Sequence, residues 1–109
     1  MTLAELKAIL DQTGYPVTYS HFKGTPENPV PYPPYICYLE VYSTNLFADN
    51  RVYKKYPNIQ IELYTKNKDL IAESKLESVL DGNEIPYETN ENFIDSQSLF
   101  QKIYEVRLI

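Results

Sequence analysis

Ile59-Gln60-Ile61-Glu62-Leu63-Tyr64 alternates apolar and polar residues without a break. The stretch Tyr35-Ile36-Cys37-Tyr38-Leu39-Glu40-Val41-Tyr42 keeps the same two-residue rhythm. A period of two sends successive side chains to opposite sides of an extended chain, so both stretches predict strands. In the first of the pair along the chain, Tyr35, Cys37, Leu39 and Val41 share one face, and Ile36, Tyr38, Glu40 and Tyr42 share the other. Between them, Ala48-Asp49-Asn50 is a turn signal and residues 51–56 begin the return, which predicts an antiparallel hairpin. Pro57-Asn58 interrupts the second strand, as a bulge or an edge position, because proline has no N–H to give a ladder.

Outward from this hairpin, both flanks carry helical spacing. Leu3, Leu6, Ile9 and Leu10 recur at intervals of three and four, with Thr2 and Glu5 placed to form a capping box. Gly14 supplies a left-handed stop and Pro16 prevents resumption. A second helix is expected over 67–81, capped by Asn67, with Asp69 in its first turn. Its buried face is Ala72, Leu76, Val79 and Leu80, its wet face Glu73, Lys75, Glu77 and Asp81, and Gly82 ends it. A short strand is expected over 17–22, weaker strand character over 85–94, and a last strand marked by Phe100, Tyr104, Val106 and Leu108. A meander covered on one face by helices predicts an α+β fold: a mostly antiparallel sheet of four or five strands with two helices on one face.

Residues 24–34 hold five of the eight prolines, in Gly-Thr-Pro-Glu-Asn-Pro-Val-Pro-Tyr-Pro-Pro. They read as an extended loop inside a single domain spanning 1–109. Pro31-Tyr32-Pro33-Pro34 is formally a P-x-x-P ligand, although proline-rich loops often simply join strands.

Fifteen acidic residues against ten basic ones give a net charge of −5. Binding to nucleic acid without sequence preference needs clustered Lys and Arg, so this balance argues against it and against adsorption to an anionic membrane. No run of about 18 apolar residues is present to span a bilayer. The start, Met-Thr-Leu-Ala-Glu-Leu-Lys, lacks the cationic and apolar segments of a secretory signal. One Cys and one His cannot build a structural zinc site, and the single thiol fits a reducing compartment.

Catalytic templates find little to hold. His21 and Cys37 would be the one nucleophile–base pair, but Cys37 sits mid-strand between Tyr35 and Leu39, where a small buried residue is expected. His21 reads as a solvated polar residue. Three scattered glycines build no phosphate loop, and Glu73/Glu77 lie one helical turn apart on a polar face. Neither an enzyme nor a bound cofactor is expected. The eleven tyrosines carry more information. Tyr38, Tyr42 and Tyr64 alternate with the apolar positions of their strands, and rings left on an uncovered sheet face suit protein contacts.

A wider set of residues adds a resemblance. It comprises Ala48-Asp49-Asn50 with Tyr53, then Ile61-Glu62-Leu63-Tyr64-Thr65, and Lys68-Asp69 with Glu73, Leu76-Glu77 and Leu80-Asp81. Ile85-Pro86-Tyr87, Glu91, Ile94 and Tyr104-Glu105 extend it. Together these resemble small tail-completion, tail-terminator or head–tail joining (minor capsid) proteins of long-tailed phages and prophages of Gram-positive bacteria. The resemblance runs from Tyr42 to the end, about two-thirds of the chain. It implies a tail-terminator-like fold and a structural virion protein without catalytic residues. Its partners would be copies of itself in a ring of six, the tail-tube protein and the head connector. Its location would be the head–tail junction, and the host cytoplasm before assembly. The interface candidates are then Tyr38, Tyr42, Tyr64, the turn Ala48, Asp49 and Asn50, and the loop residues Pro31 and Tyr32. A different reading of the same acidity is an inhibitor that binds a host enzyme. Carboxylates interleaved with lysines, as in Glu73-Ser74-Lys75, argue against the regular spacing such mimicry of DNA needs.

Overall fold

Thr2 accepts from the Glu5 backbone N–H at 3.1 Å and the Glu5 carboxylate accepts from the Thr2 N–H at 3.3 Å, so the expected capping box starts the first helix. The computed structural model describes the backbone of residues 1–48 and 51–108. In chain order the elements are α1 (Leu3–Asp11), β1 (Val17–Tyr19), β2 (Tyr35–Ala48), β3 (Arg51–Thr65), α2 (Leu70–Gly82), β4 (Glu88–Ile94) and β5 (Leu99–Arg107). A 3₁₀ turn, Asp95–Gln97, joins the last two strands. Gly14 takes the left-handed φ of +83° after α1, as its position implied.

The strands form one sheet in the order β1-β2-β3-β5-β4. Four of them pair antiparallel with their neighbours, and β1 alone pairs parallel, with β2. The fold is therefore α+β with a mostly antiparallel, mixed sheet and its helices packed on the sheet. It is not a plain meander, however. β3 and β4 both run antiparallel to β5, so α2 is a crossover that leaves room for β5 between them.

The core forms where both helices meet one face. Leu6 and Leu10 of α1 and Ala72, Leu76 and Leu80 of α2 pack with Ile36 and Tyr38 of β2, Ile59, Ile61 and Leu63 of β3, and Tyr104 and Val106 of β5. The α2 boundaries differ from the sequence reading. Asp69, not Asn67, caps the helix, accepting from the Ala72 N–H at 3.0 Å. At the other end Gly82 is still helical, and Glu84 takes the left-handed turn with φ of 57°. Val79 is half-buried while Glu73 is buried, because ion pairs with Lys68 at 2.8 Å and Lys102 at 3.7 Å let its carboxylate leave water. Glu77, expected to be wet, is half-buried for a similar reason: it accepts from the Tyr104 hydroxyl at 2.8 Å.

Beyond this body, β2 and β3 continue as a two-stranded arm. β5 pairs with β3 only from Asn58 inward, whereas β2 and β3 stay paired out to Ala48 and Arg51. Pro57 falls where β5 ends, at an edge position, as its missing N–H requires. The arm makes the molecule long, with extents of 51 × 30 × 25 Å and a radius of gyration of 15.3 Å. A compact chain of this length would have a radius of gyration near about 13 Å.

Candidate functional site

The face of the sheet away from the helices carries Tyr35, Cys37, Tyr64, Glu62 and Gln101, in register across three strands. The segment between β1 and β2 folds back over one end of this face. Phe22 meets Tyr35 edge-on at 5.3 Å, and Tyr35 stacks on Tyr64 at 5.1 Å. Between loop and sheet lies an open cleft of about 450 Å³, lined among others by His21, Phe22, Pro31, Pro33, Cys37 and Tyr64. As the proline spacing required, no residue of 24–34 joins a ladder. Of the loop candidates, Pro31 is half-buried in the cleft wall, whereas Tyr32 is 93% exposed.

His21 and Cys37 thus line one cleft, and the chemistry there is weak. Cys37 is buried, as expected, though on the loop-covered face and not beneath the helices. Burial, and secondarily the Glu62 carboxylate, push its thiol up to about 11, so it is protonated at neutral pH and a poor nucleophile. His21 is exposed, and its Nδ1 lies 3.0 Å from the Ser20 hydroxyl. Glu62 is buried and fully engaged: it accepts from Gln60 at 2.8 Å, Gln101 at 2.9 Å and the Tyr64 hydroxyl at 3.2 Å. Tyr64 itself is half-buried, its ionisation pushed up by burial and by Glu62. Such a network fixes the Tyr64 ring in place and leaves part of it accessible. Among the described residues, no group of three His, Cys, Asp or Glu is arranged to hold a metal ion, and no helix is long and apolar enough to cross a membrane.

The expectation that Tyr38 is left on an uncovered face fails. Tyr38 lies opposite Ile61 in the β2–β3 register, on the helix side, and is only 6% exposed. Tyr42 is different, at 62% exposed. A bulge between Glu40 and Tyr42 inserts one extra residue, so Tyr42 pairs with Asn58 and the alternation switches faces. Tyr42 stands at the root of the arm, beside a second open cleft of about 390 Å³ lined by Val41, Asn58, Tyr87, Glu88 and Arg107. Three of the candidates remain: the turn residues Asp49 and Asn50, with the side chain of Ala48, lie outside the described residues.

Charge is the feature that the tyrosine reading missed. Arg51, Lys54 and Lys55 all sit on the arm's β3 strand and are all exposed. Along β4, the outer strand of the sheet, and its flanks, residues 81–95 contain Asp81, Glu84, Glu88, Glu91 and Asp95 with no Lys or Arg. All five of these acids are exposed as well. Counting charge by segment, not over the whole chain, is the sequence signal that reveals this polarity.

No known family model matches this sequence, and no curated protein is significantly similar to it.

Proposed function

We propose that this chain is a structural virion protein of a long-tailed phage or prophage, which completes or caps the tail tube at the head–tail junction and joins it to the head connector. It acts by assembling into a ring, six subunits in number if the ring matches a hexameric tube, and by surface complementarity without turnover. The observation that supports an assembly role is the β2–β3 arm. Its outer residues have neither a third strand nor a helix against them among the described residues. An isolated two-stranded ribbon is marginal in water, so an arm of this length gains most from a neighbouring surface. The resemblance of residues 42–109 to tail-completion proteins supplies the setting. The net charge of −5 is compatible with a passage for DNA, because like charge keeps the genome from adhering.

Mass spectrometry and immunogold labelling of purified particles test this reading. The protein should be found at the junction between tail tube and head. Its absence from mature virions and from every tail intermediate would overturn the proposal.

A further inference from the structure

Among the described residues, positions 51–56 of β3 form a free strand edge. The lane beside them is occupied farther inward by β5, whose register with β3 ends at Asn58, and the Leu108 N–H then donates to the Pro57 carbonyl at 2.9 Å. This free stretch is about as long as β4, which is itself the exposed outer strand of the sheet. Two unpaired edges lie on one molecule and carry opposite charge. The arm, residues 42–57, holds Arg51, Lys54 and Lys55 against Asp49 alone, which leaves seven net negative charges for the rest of a −5 chain. Because Lys54 and Lys55 are consecutive on an extended strand, they present cations to both faces of the ribbon. Along β4 and its flanks, Glu84, Glu88 and Asp95 are exposed. Glu91 is already held by Lys68 at 2.6 Å.

We infer that the basic β3 edge of the arm pairs with the acidic β4 edge of a second copy of this chain, extending the sheet from one subunit into the next. Charge decides between the possible pairings. Arm against arm sets Lys54 and Lys55 against their like, and β4 against β4 does the same with Glu84 and Glu88, so both symmetric pairings are repelled. Arm against β4 is the attractive one. The outer part of β2, residues 42–48, contains no charged residue, so it offers an acidic strand no comparable attraction. An arm-to-β4 contact joins two different patches, and such head-to-tail contacts close into rings or run on as filaments. The inference deepens the ring proposed above and rests on it for the choice of a second copy as occupant.

The test uses the full chain with Lys54→Cys and Glu88→Cys combined, leaving the buried Cys37 in place. Under mild oxidation at low salt, the double variant should give a ladder of covalent oligomers, whereas either single variant should stop at dimers. The ladder should fade in about 1 M salt, where charges are screened beyond about 3 Å. In parallel, a Lys54→Glu/Lys55→Glu chain and a Glu84→Lys/Glu88→Lys chain should each lose self-association. Mixed together, the two should regain it, which shows that each is folded. A double variant that yields only dimers, in solution and inside particles that contain the protein, would overturn the arm-to-β4 contact and leave the head–tail location standing. A full ladder from a protein absent from every particle would do the reverse.

Discussion

The Tyr104 hydroxyl donates to Glu77 Oε2 across 2.8 Å, tying a wholly buried ring of β5 to the middle of α2. Tyr87 meets the same ring edge-on at 5.4 Å. Tyr104→Phe removes a bond to a charged acceptor and leaves a half-buried carboxylate without it. The expected loss is about 1.5–3 kcal/mol. Equilibrium unfolding in urea reads it directly. A change under about 0.5 kcal/mol, the range of inert surface substitutions, would mean that Glu77 is satisfied elsewhere.

Leu76 is fully buried in the same core while Val79, one turn on, is half-buried. Leu76→Ala should therefore cost about 2–5 kcal/mol, the range for a buried leucine that leaves a cavity. Val79→Ala should cost about 1 kcal/mol, since only part of its two lost methyl groups was out of water. Equal losses from the two variants would show that α2 is rotated from its stated face.

Alkali should weaken the fold before it attacks anything else. In the unfolded chain Cys37 ionises near 9.0, but in the fold it does so at about 11, because burial and then Glu62 oppose the thiolate. Below pH 9 both states keep the proton, and this contribution to stability is complete. Above it the unfolded chain releases its proton first, so stability falls as pH rises toward 11. Tyr64 and Tyr104, each raised above 10.0 by burial first, with Glu62 and Glu77 respectively adding to it, act in the same direction from pH 10 upward. The urea midpoint should thus drop between pH 8 and about 10.5. At neutral pH, Cys37 should react with a maleimide orders of magnitude more slowly than free cysteine, and urea should restore the rate. A flat midpoint, or a fast-reacting thiol in the native chain, would contradict its burial.

Much of this architecture is legible along the chain, and the failures have definite causes. The Ile59, Ile61 and Leu63 rhythm predicts a half-buried strand because Gln60, Glu62 and Tyr64 between them are polar or amphipathic. β2 offers no such contrast. Ile36 and Tyr38 on one face are as apolar as Cys37 and Leu39 on the other, so alternation predicts the strand without deciding which face receives the helices. Pairing decides it: Tyr38 falls opposite Ile61 and Ile36 opposite Leu63, which carries both into the core. The bulge after Glu40 leaves no mark in composition, yet it turns Tyr42 out to solvent. Asp69 outcompetes Asn67 as a cap because capping depends on where the backbone leaves β3, a tertiary matter. The acidic edge and the basic arm are plain in the sequence once charge is counted by element, and only topology reveals that each has an unpaired side among the described residues.

Tyr38 and Tyr42 give the sharpest separation of fold from assembly. They stand four residues apart on one strand, 6% and 62% exposed, on opposite sides of a bulge. Tyr38 packs under α1 and meets Tyr19 edge-on at 5.2 Å, so Tyr38→Ala should cost about 3–5 kcal/mol, as large buried aromatics do. Tyr42→Ala should change stability by no more than about 0.5 kcal/mol. Tyr42→Glu should leave the unfolding transition in place, while adding a like charge beside Glu88 and Glu105 at the root of the arm. If the arm's root lies within a contact between subunits, that variant should assemble poorly into tails although it is fully folded. Normal incorporation of Tyr42→Glu into particles would remove this ring from the contact. A loss under about 0.5 kcal/mol for Tyr38→Ala would instead show that this ring is not part of the core.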